Sequence, residues 1–108
     1  MKQTTLAADD DRLVAIFKAL SNPVRFRMLR YMVEHPQCIT GDLVAFAGLA
    51  QSTTSQHLQV LREAGIVQGM VEGPATCYCL DLDTLGWFRD RVDEVAGQLY
   101  ASCCPPSR

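Results

Sequence analysis

A mainly α-helical domain carrying one small β-hairpin (α+β, about five helices) is what this sequence predicts, on three observations. Apolar residues recur at i, i+3 and i+4 spacing in separate runs along the chain. The runs are punctuated by Asn22-Pro23, His35-Pro36, Gly48 and Gly65, residue types that start or stop helices. Only one stretch, Ile66 to Val71 followed by Thr76 to Leu82, alternates as paired strands do, around the turn Glu72-Gly73-Pro74-Ala75.

Taken in order, Met1 to Ala8 (the flexible segment 1–8) reads as a frayed terminus. Asp9, Asp10 and Asp11 are placed to cap the first helix and complement its dipole, and Leu13, Ile16, Phe17 and Leu20 form its apolar stripe. Asn22 caps the next helix and Pro23 takes its first position; Phe26, Leu29 and Met32 or Val33 face inward, with the arginines outside. Thr40 is the expected cap of a third helix, with Ile39 stapled onto Val44. In the hairpin, Tyr78, Leu80 and Leu82 share one face and Cys77, Cys79 and Asp81 the other. Asp83-Thr84 caps a long last helix with Leu85, Phe88, Val92, Val95 and Leu99 at helical spacing. Gly86 and Gly97 each cost that helix roughly 1 kcal/mol against Ala, so it needs a partner surface. Pro105-Pro106 ends the fold, leaving 105–108 flexible, and residues 1–108 read as a single domain.

The chain is organised around Thr40 to Val67. Leu43, Val44 and Ala47 mark a short helix stopped by Gly48. A second helix from Gln51 puts Leu58, Leu61 and Val60 on its buried side, and Ala64-Gly65 closes it. Its other side carries Gln51, Ser52, Ser55, Gln56, Gln59 and Arg62. Gln and Ser can donate to and accept from base edges, and Arg can hold a phosphate or a guanine. With the hairpin as a wing, this is a winged helix-turn-helix. The candidate DNA contacts are Gln51, Ser52, Thr53, Ser55, Gln56, Gln59 and Arg62.

At 108 residues and 48% hydrophobic content the chain can bury a compact core. No apolar run spans a bilayer and no signal-peptide pattern opens the chain, so a cytoplasmic protein without a membrane partner is expected. The formal charge of −2 hides a basic centre (Lys18, Arg25, Arg27, Arg30, Arg62) between acidic ends. Catalysis is not expected: no His/carboxylate pair, phosphate-cradling glycine loop or Cys-His nucleophile is evident, and no catalytic cofactor is called for.

The runs AIFKALSNPVRFRMLRYM and AQSTTSQHLQVLREAGIV, with a hairpin ending in YCL, resemble the ArsR/SmtB family of bacterial winged-helix repressors. The resemblance spans roughly Leu13 to Tyr100. It implies a homodimer built from the first and last helices, operator binding without ligand, and release when a metal, metalloid or redox signal occupies a remote site. By position it places Gln51, Ser52, Ser55 and Gln56 on DNA. The sequence departs from the family at Ala50, where a capping Ser is frequent, and at the wing tip, which lacks a basic residue.

Five cysteines in a cytoplasmic chain point to thiol chemistry rather than structural bridges. His35 and His57 are the only histidines and neither lies on the last helix, so a zinc site is disfavoured there. Cys103-Cys104 is the leading ligand pair for As(III) or Sb(III), because Pro105 pushes Cys104 out of the helical region and frees both sulfurs to converge. Family precedent for cysteine pairs on the last helix points the same way. A third thiolate could come from Cys38, Cys77 or Cys79, of this protomer or the other, and the third position could also be held by water or a small thiol. The expected function is therefore a homodimeric repressor that leaves double-stranded operator DNA when a trivalent metalloid binds near its C-terminus. Two alternatives stay open: a thiol-redox or sulfide-responsive repressor of the same fold, and a winged-helix module used only for protein contacts.

Overall fold

The computed structural model describes residues 7–73 and 75–102, and its elements follow the helix breaks of the sequence. They run α1 (Ala8–Leu20), α2 (Pro23–Glu34), β1 (Cys38–Ile39), α3 (Thr40–Ala47), α4 (Gln51–Glu63), β2 (Val67–Glu72), β3 (Ala75–Leu80) and α5 (Leu82–Ser102). The expected mainly α, winged helix-turn-helix architecture is present, with five helices among the described residues.

Local hydrogen-bond acceptors set most helix starts. Asn22 behaves as its position predicts: its Oδ1 accepts from the backbone N–H groups of Val24 (2.8 Å) and Arg25 (3.1 Å), and Pro23 needs no partner. The acidic run of α1 does not cap; the N-cap is Ala7 and makes no side-chain bond. Asp9, Asp10 and Asp11 instead lie in the first turn, where their charge complements the helix dipole. Thr40 is likewise inside α3, and the cap position belongs to Ile39, whose N–H donates to Asp42 Oδ2 at 3.0 Å. Helix α5 starts earlier than Asp83-Thr84 would place it, because Asp81 caps it by accepting from Thr84 N–H at 3.0 Å. Leu82 is therefore helical and exposed rather than the end of a strand face. Gly48 stops α3 in the left-handed region at φ 68°, where only glycine sits without strain.

The hairpin closes around the expected turn; β2 is shifted one residue along the chain, β3 starts one residue early and ends two early at Leu80, and the sheet gains a strand. Cys38 and Ile39 form β1, which pairs antiparallel with β3 opposite Tyr78 and Cys77. The sheet order is β1-β3-β2, with Val67 opposite Leu80 and Glu72 opposite Ala75 across the hairpin. Two residues give too short a run for alternation to reveal.

One core joins every element except α5: Ile16 and Ala19, Met28, Leu29 and Met32, Cys38, Leu43, Leu58 and Leu61, Ile66 and Val67, and Tyr78. Some apolar assignments shift. Met32 rather than Val33 faces inward, and Phe26, Phe17 and Val60 are exposed in this single chain. Phe17 still meets Phe88 edge-on, with ring centroids 5.4 Å apart. Helix α5 buries only Thr84 and packs Leu85, Trp87 and Phe88 part-way onto the core. Its far end is bare: Leu99 is 67% and Tyr100 85% exposed, and Val14 and Phe17 on α1 are exposed as well.

Leu61 is fully buried at the centre of this core, so Leu61→Ala should lose about 2–5 kcal/mol of stability in urea titrations. Asn22→Ala should lose about 1 kcal/mol through the cap alone. At Asp81, the bond from Gln68 Nε2 (2.7 Å) and then that from Thr84 N–H hold the carboxyl below its ordinary value. A depressed folded value stabilises the protein above about pH 4, and that stabilisation is lost as pH falls through the folded value. Asp81→Asn should therefore flatten the acid limb of a urea-midpoint against pH curve.

Candidate nucleic-acid interface

Helix α4 is amphipathic with a sharp division of labour. At 100° per residue, Thr54, Leu58 and Leu61 fall on one side, and all three are buried. Gln51, Ser55, Gln59 and Arg62 gather on the opposite side, flanked by Ser52 and Gln56, and all six are exposed. Thr53 lies at the margin of that row and is half-buried. Leu43 of α3 is fully buried, and α3 packs against α4 across the Gly48 turn. The start of α4 has no side-chain cap, because Ala50 offers no acceptor. Its first N–H groups remain available to an anion such as a DNA phosphate.

Electrostatics on this face are mixed. Arg62 ends the polar row with no ion pair among the described residues. Glu63 beside it accepts from Gln59 Nε2 at 3.0 Å, so one donor of Gln59 is already engaged. This i, i+4 spacing was present in the sequence, but Glu63 was not among the residues expected to shape the face. Between α4 and β2 runs an open groove of about 450 Å³, lined by Gln59, Arg62, Glu63, Val67, Gln68 and Gly69. Gly69 keeps that passage clear. A Cβ there would stand 3.2 Å from the Tyr78 ring and 3.4 Å from Arg62 Nε. The strands β2 and β3 carry no Lys or Arg, and the exposed apolar side chains Met70 and Val71 occupy the wing instead.

Other basic residues are engaged away from the face. Arg25 reaches the carbonyls ending α1 and the His57 ring of α4. The Arg27 guanidinium lies 5.3 Å from the Phe46 ring centroid, and Arg12 stacks on Trp87 at 4.1 Å. The link between Arg25 and His57 has no counterpart in the sequence pattern, since 32 residues separate the two.

The described cysteines do not converge as a ligand set. Cys38 is 4% exposed within the core; burial, then the Asp42 carboxylate, pushes its thiol above the ordinary value. Cys77 is 5% exposed and its thiol donates to Gln37 O at 3.0 Å. Cys79, two residues on along the strand, is half-buried beside an apolar hollow lined by Met32, Val33, Pro36, Leu80 and Leu82. His35 stacks on Tyr31 at 4.0 Å and sets its Nδ1 3.0 Å from Tyr31 O. Among the described residues no three His, Cys, Asp or Glu side chains are grouped to hold a metal ion. Cys103 and Cys104 lie outside the described residues. No described helix is long and apolar enough to cross a membrane.

Comparison with known proteins agrees with this geometry. The family model for bacterial regulatory proteins of the arsR family matches residues 22–68, from the cap of α2 through the whole of α4. The HTH-type transcriptional regulator YgaV of Escherichia coli K12 is 31% identical over 100 residues, covering 93% of this chain and 94% of that protein. Two solved structures share the fold. A possible transcriptional regulator for arsenical resistance superposes with a TM-score of 0.67 at 27% identity, covering 88% of this chain and 98% of that one. The homodimeric winged helix-turn-helix DNA-binding domain Mb0332 of Mycobacterium bovis superposes with a TM-score of 0.66 at 21% identity, covering 97% and 100%. With α4 presenting its polar row from a winged helix-turn-helix, this chain belongs to the arsR family of bacterial regulatory proteins, transcriptional regulators that bind DNA.

Proposed function

We propose that the protein is a homodimeric repressor that reads its operator through α4 and releases it when As(III) or Sb(III) binds Cys103 and Cys104. The observation carrying the DNA half of this reading is the exposed row Gln51, Ser52, Ser55, Gln56, Gln59 and Arg62 on a helix locked by its other side. Gln56 and Ser55 would read base edges, Arg62 would meet a phosphate or guanine, and Thr53 would contribute at the margin. A second copy is the partner that the bare faces of α1 and α5 call for: Val14, Phe17, Leu99 and Tyr100 are exposed and apolar. The Mb0332 domain, which shares this fold, is homodimeric, and that supports the reading.

The sensing half rests on the soft-thiolate chemistry of the cysteine pair and on the relation to a possible regulator for arsenical resistance. Distance narrows the third donor. Leu82 to Ser102 spans 21 helical residues, about 30 Å of rise. Cys79 lies three residues before that helix, a helix length from its far end at Ser102, which disfavours the same chain's Cys79 as the third donor. Burial argues against Cys38 and Cys77 as exchangeable ligands. A thiol of the second copy, or a small free thiol, is the consistent third donor. Zinc would need His or carboxylate partners that are not grouped among the described residues. For release, the metalloid must bind the DNA-incompetent arrangement better than the competent one.

Fluorescence anisotropy with the promoter DNA upstream of the protein's own gene tests both halves under reducing conditions. Antimonite and arsenite should release the wild type but not Cys103→Ser/Cys104→Ser, while zinc releases neither. Release of both alike would refute the tail site, and salt-insensitive or absent DNA binding would refute the repressor. Arg62→Ala should reduce the slope of log affinity against log salt by about 1, and Gln56→Ala should cost about 1–3 kcal/mol of sequence discrimination. Thiol accessibility gives an independent check. Under native conditions iodoacetamide should modify Cys79 before Cys38 and Cys77, a difference that mass spectrometry should see vanish in urea.

A further inference from the structure

From α2, the Arg25 side chain reaches two other helices at once. Its Nε donates to Ala19 O at 2.8 Å and its Nη2 to Lys18 O at 3.2 Å, the carbonyls that end α1. Its Nη1 lies 3.3 Å from His57 Nδ1, in the middle of α4. A guanidinium has no acceptor, so in this contact Nδ1 must accept and the ring proton must sit on Nε2. The fork is preset from below, because Asn22 Oδ1 holds the backbone N–H of Arg25 itself at 3.1 Å. The location favours a cation: α1 ends here with its negative dipole end, and Lys18 O already accepts from Ser21 N–H and Ser21 Oγ. Around the clasp the gap between α1 and α4 is lined by Ala15, Lys18, Ala19, Val60, Glu63 and Ala64, mostly small or mobile side chains.

We infer that Arg25 is a positioning residue for DNA recognition, latching the end of α1 to His57 and so setting the angle at which α4 presents its polar row. The inference rests on the DNA-binding reading above for its consequence, though not for its geometry. Helix α1 carries Val14 and Phe17 of the proposed dimer face, so the latch ties the reading helix directly to the element that a second copy would hold. Lysine cannot replace the fork, since one ammonium cannot serve two carbonyls and a ring nitrogen in a plane.

Two readouts on Arg25→Lys, His57→Leu, His57→Asn and the Arg25→Lys/His57→Leu double variant test the latch. Amide hydrogen exchange through residues 51–63 needs no DNA. It should quicken about tenfold in Arg25→Lys and in His57→Leu, the weight of one charge-assisted hydrogen bond. Operator affinity should fall by a similar factor in anisotropy. His57→Asn, whose Oδ1 stands near the place of Nδ1, should recover both, and the double variant should be no worse than either single one. Unchanged exchange in α4, additive losses in the double variant, or an Asn variant as weak as the Leu variant would each overturn the proposal. Wild-type protein that fails to bind operator would refute the DNA reading instead, with exchange still deciding the latch.

Discussion

Everything functional in this fold depends on which way α4 is rotated. Leu58 and Leu61 are removed from water almost completely, which stabilises the docked helix by about 1.5–3 kcal/mol for each side chain. A slip of one residue would turn the helix by about 100°, exposing both leucines and burying glutamine and serine without partners. The polar row faces outward because the opposite row cannot. Thr54 shows how strongly packing dominates: it is fully buried and its hydroxyl finds no partner among the described residues, a cost of about 1–3 kcal/mol that the fold carries to keep the helix seated.

Much of this was legible in the sequence because helix periodicity, helix breaks and turn residues are local signals. Asn22-Pro23, Gly48 and the alternation of β2 and β3 all led to the right elements. The errors at the helix starts have one cause, which is competition between neighbouring local signals. Three aspartates beside the start of α1 are cap-capable, yet the chain turns at Ala7, so they contribute charge rather than a cap. Asp81 and Asp83 are both able to cap α5, and Asp81 prevails because Gln68 on β2 also donates to it. Long-range contacts left no such trace. The pairing of Cys38-Ile39 with β3 and the reach of Arg25 to His57 join residues about 40 and 32 positions apart, and nothing in either stretch alone announces them.

The cysteines separate by the same logic. Their residue type suggested a common chemistry, but their surroundings divide them. Cys38 and Cys77 are small residues filling a narrow sheet, one held protonated by burial and the other donating to a backbone carbonyl. A thiolate must be exposed to exchange ligands, and burial withholds that exposure from both. The exposed row on α4 was easier to see, since a polar row on an otherwise amphipathic helix is visible as pattern, whereas thiol reactivity depends on burial that no spacing encodes.

A signal received on α5 has an energetic advantage over one received in the sheet. Moving a strand of the sheet would break the core that seats α4, a loss comparable with the stability of a small domain. Moving α5 disturbs little within the single chain, because only Thr84 is buried and Leu85, Trp87 and Phe88 are partly so. The cost of rearranging α5 therefore falls mainly on whatever covers its bare apolar end. A ligand whose preference between two arrangements is only a few kcal/mol can shift such an element, whereas the same ligand could not unseat the core. In the proposed repressor, α1 shares that bare face with α5 and is bonded through Arg25 to α4. On that proposal the dimer face, the long helix and the reading helix would form one connected set, in which the core stays fixed and the relation between the two copies of α4 changes.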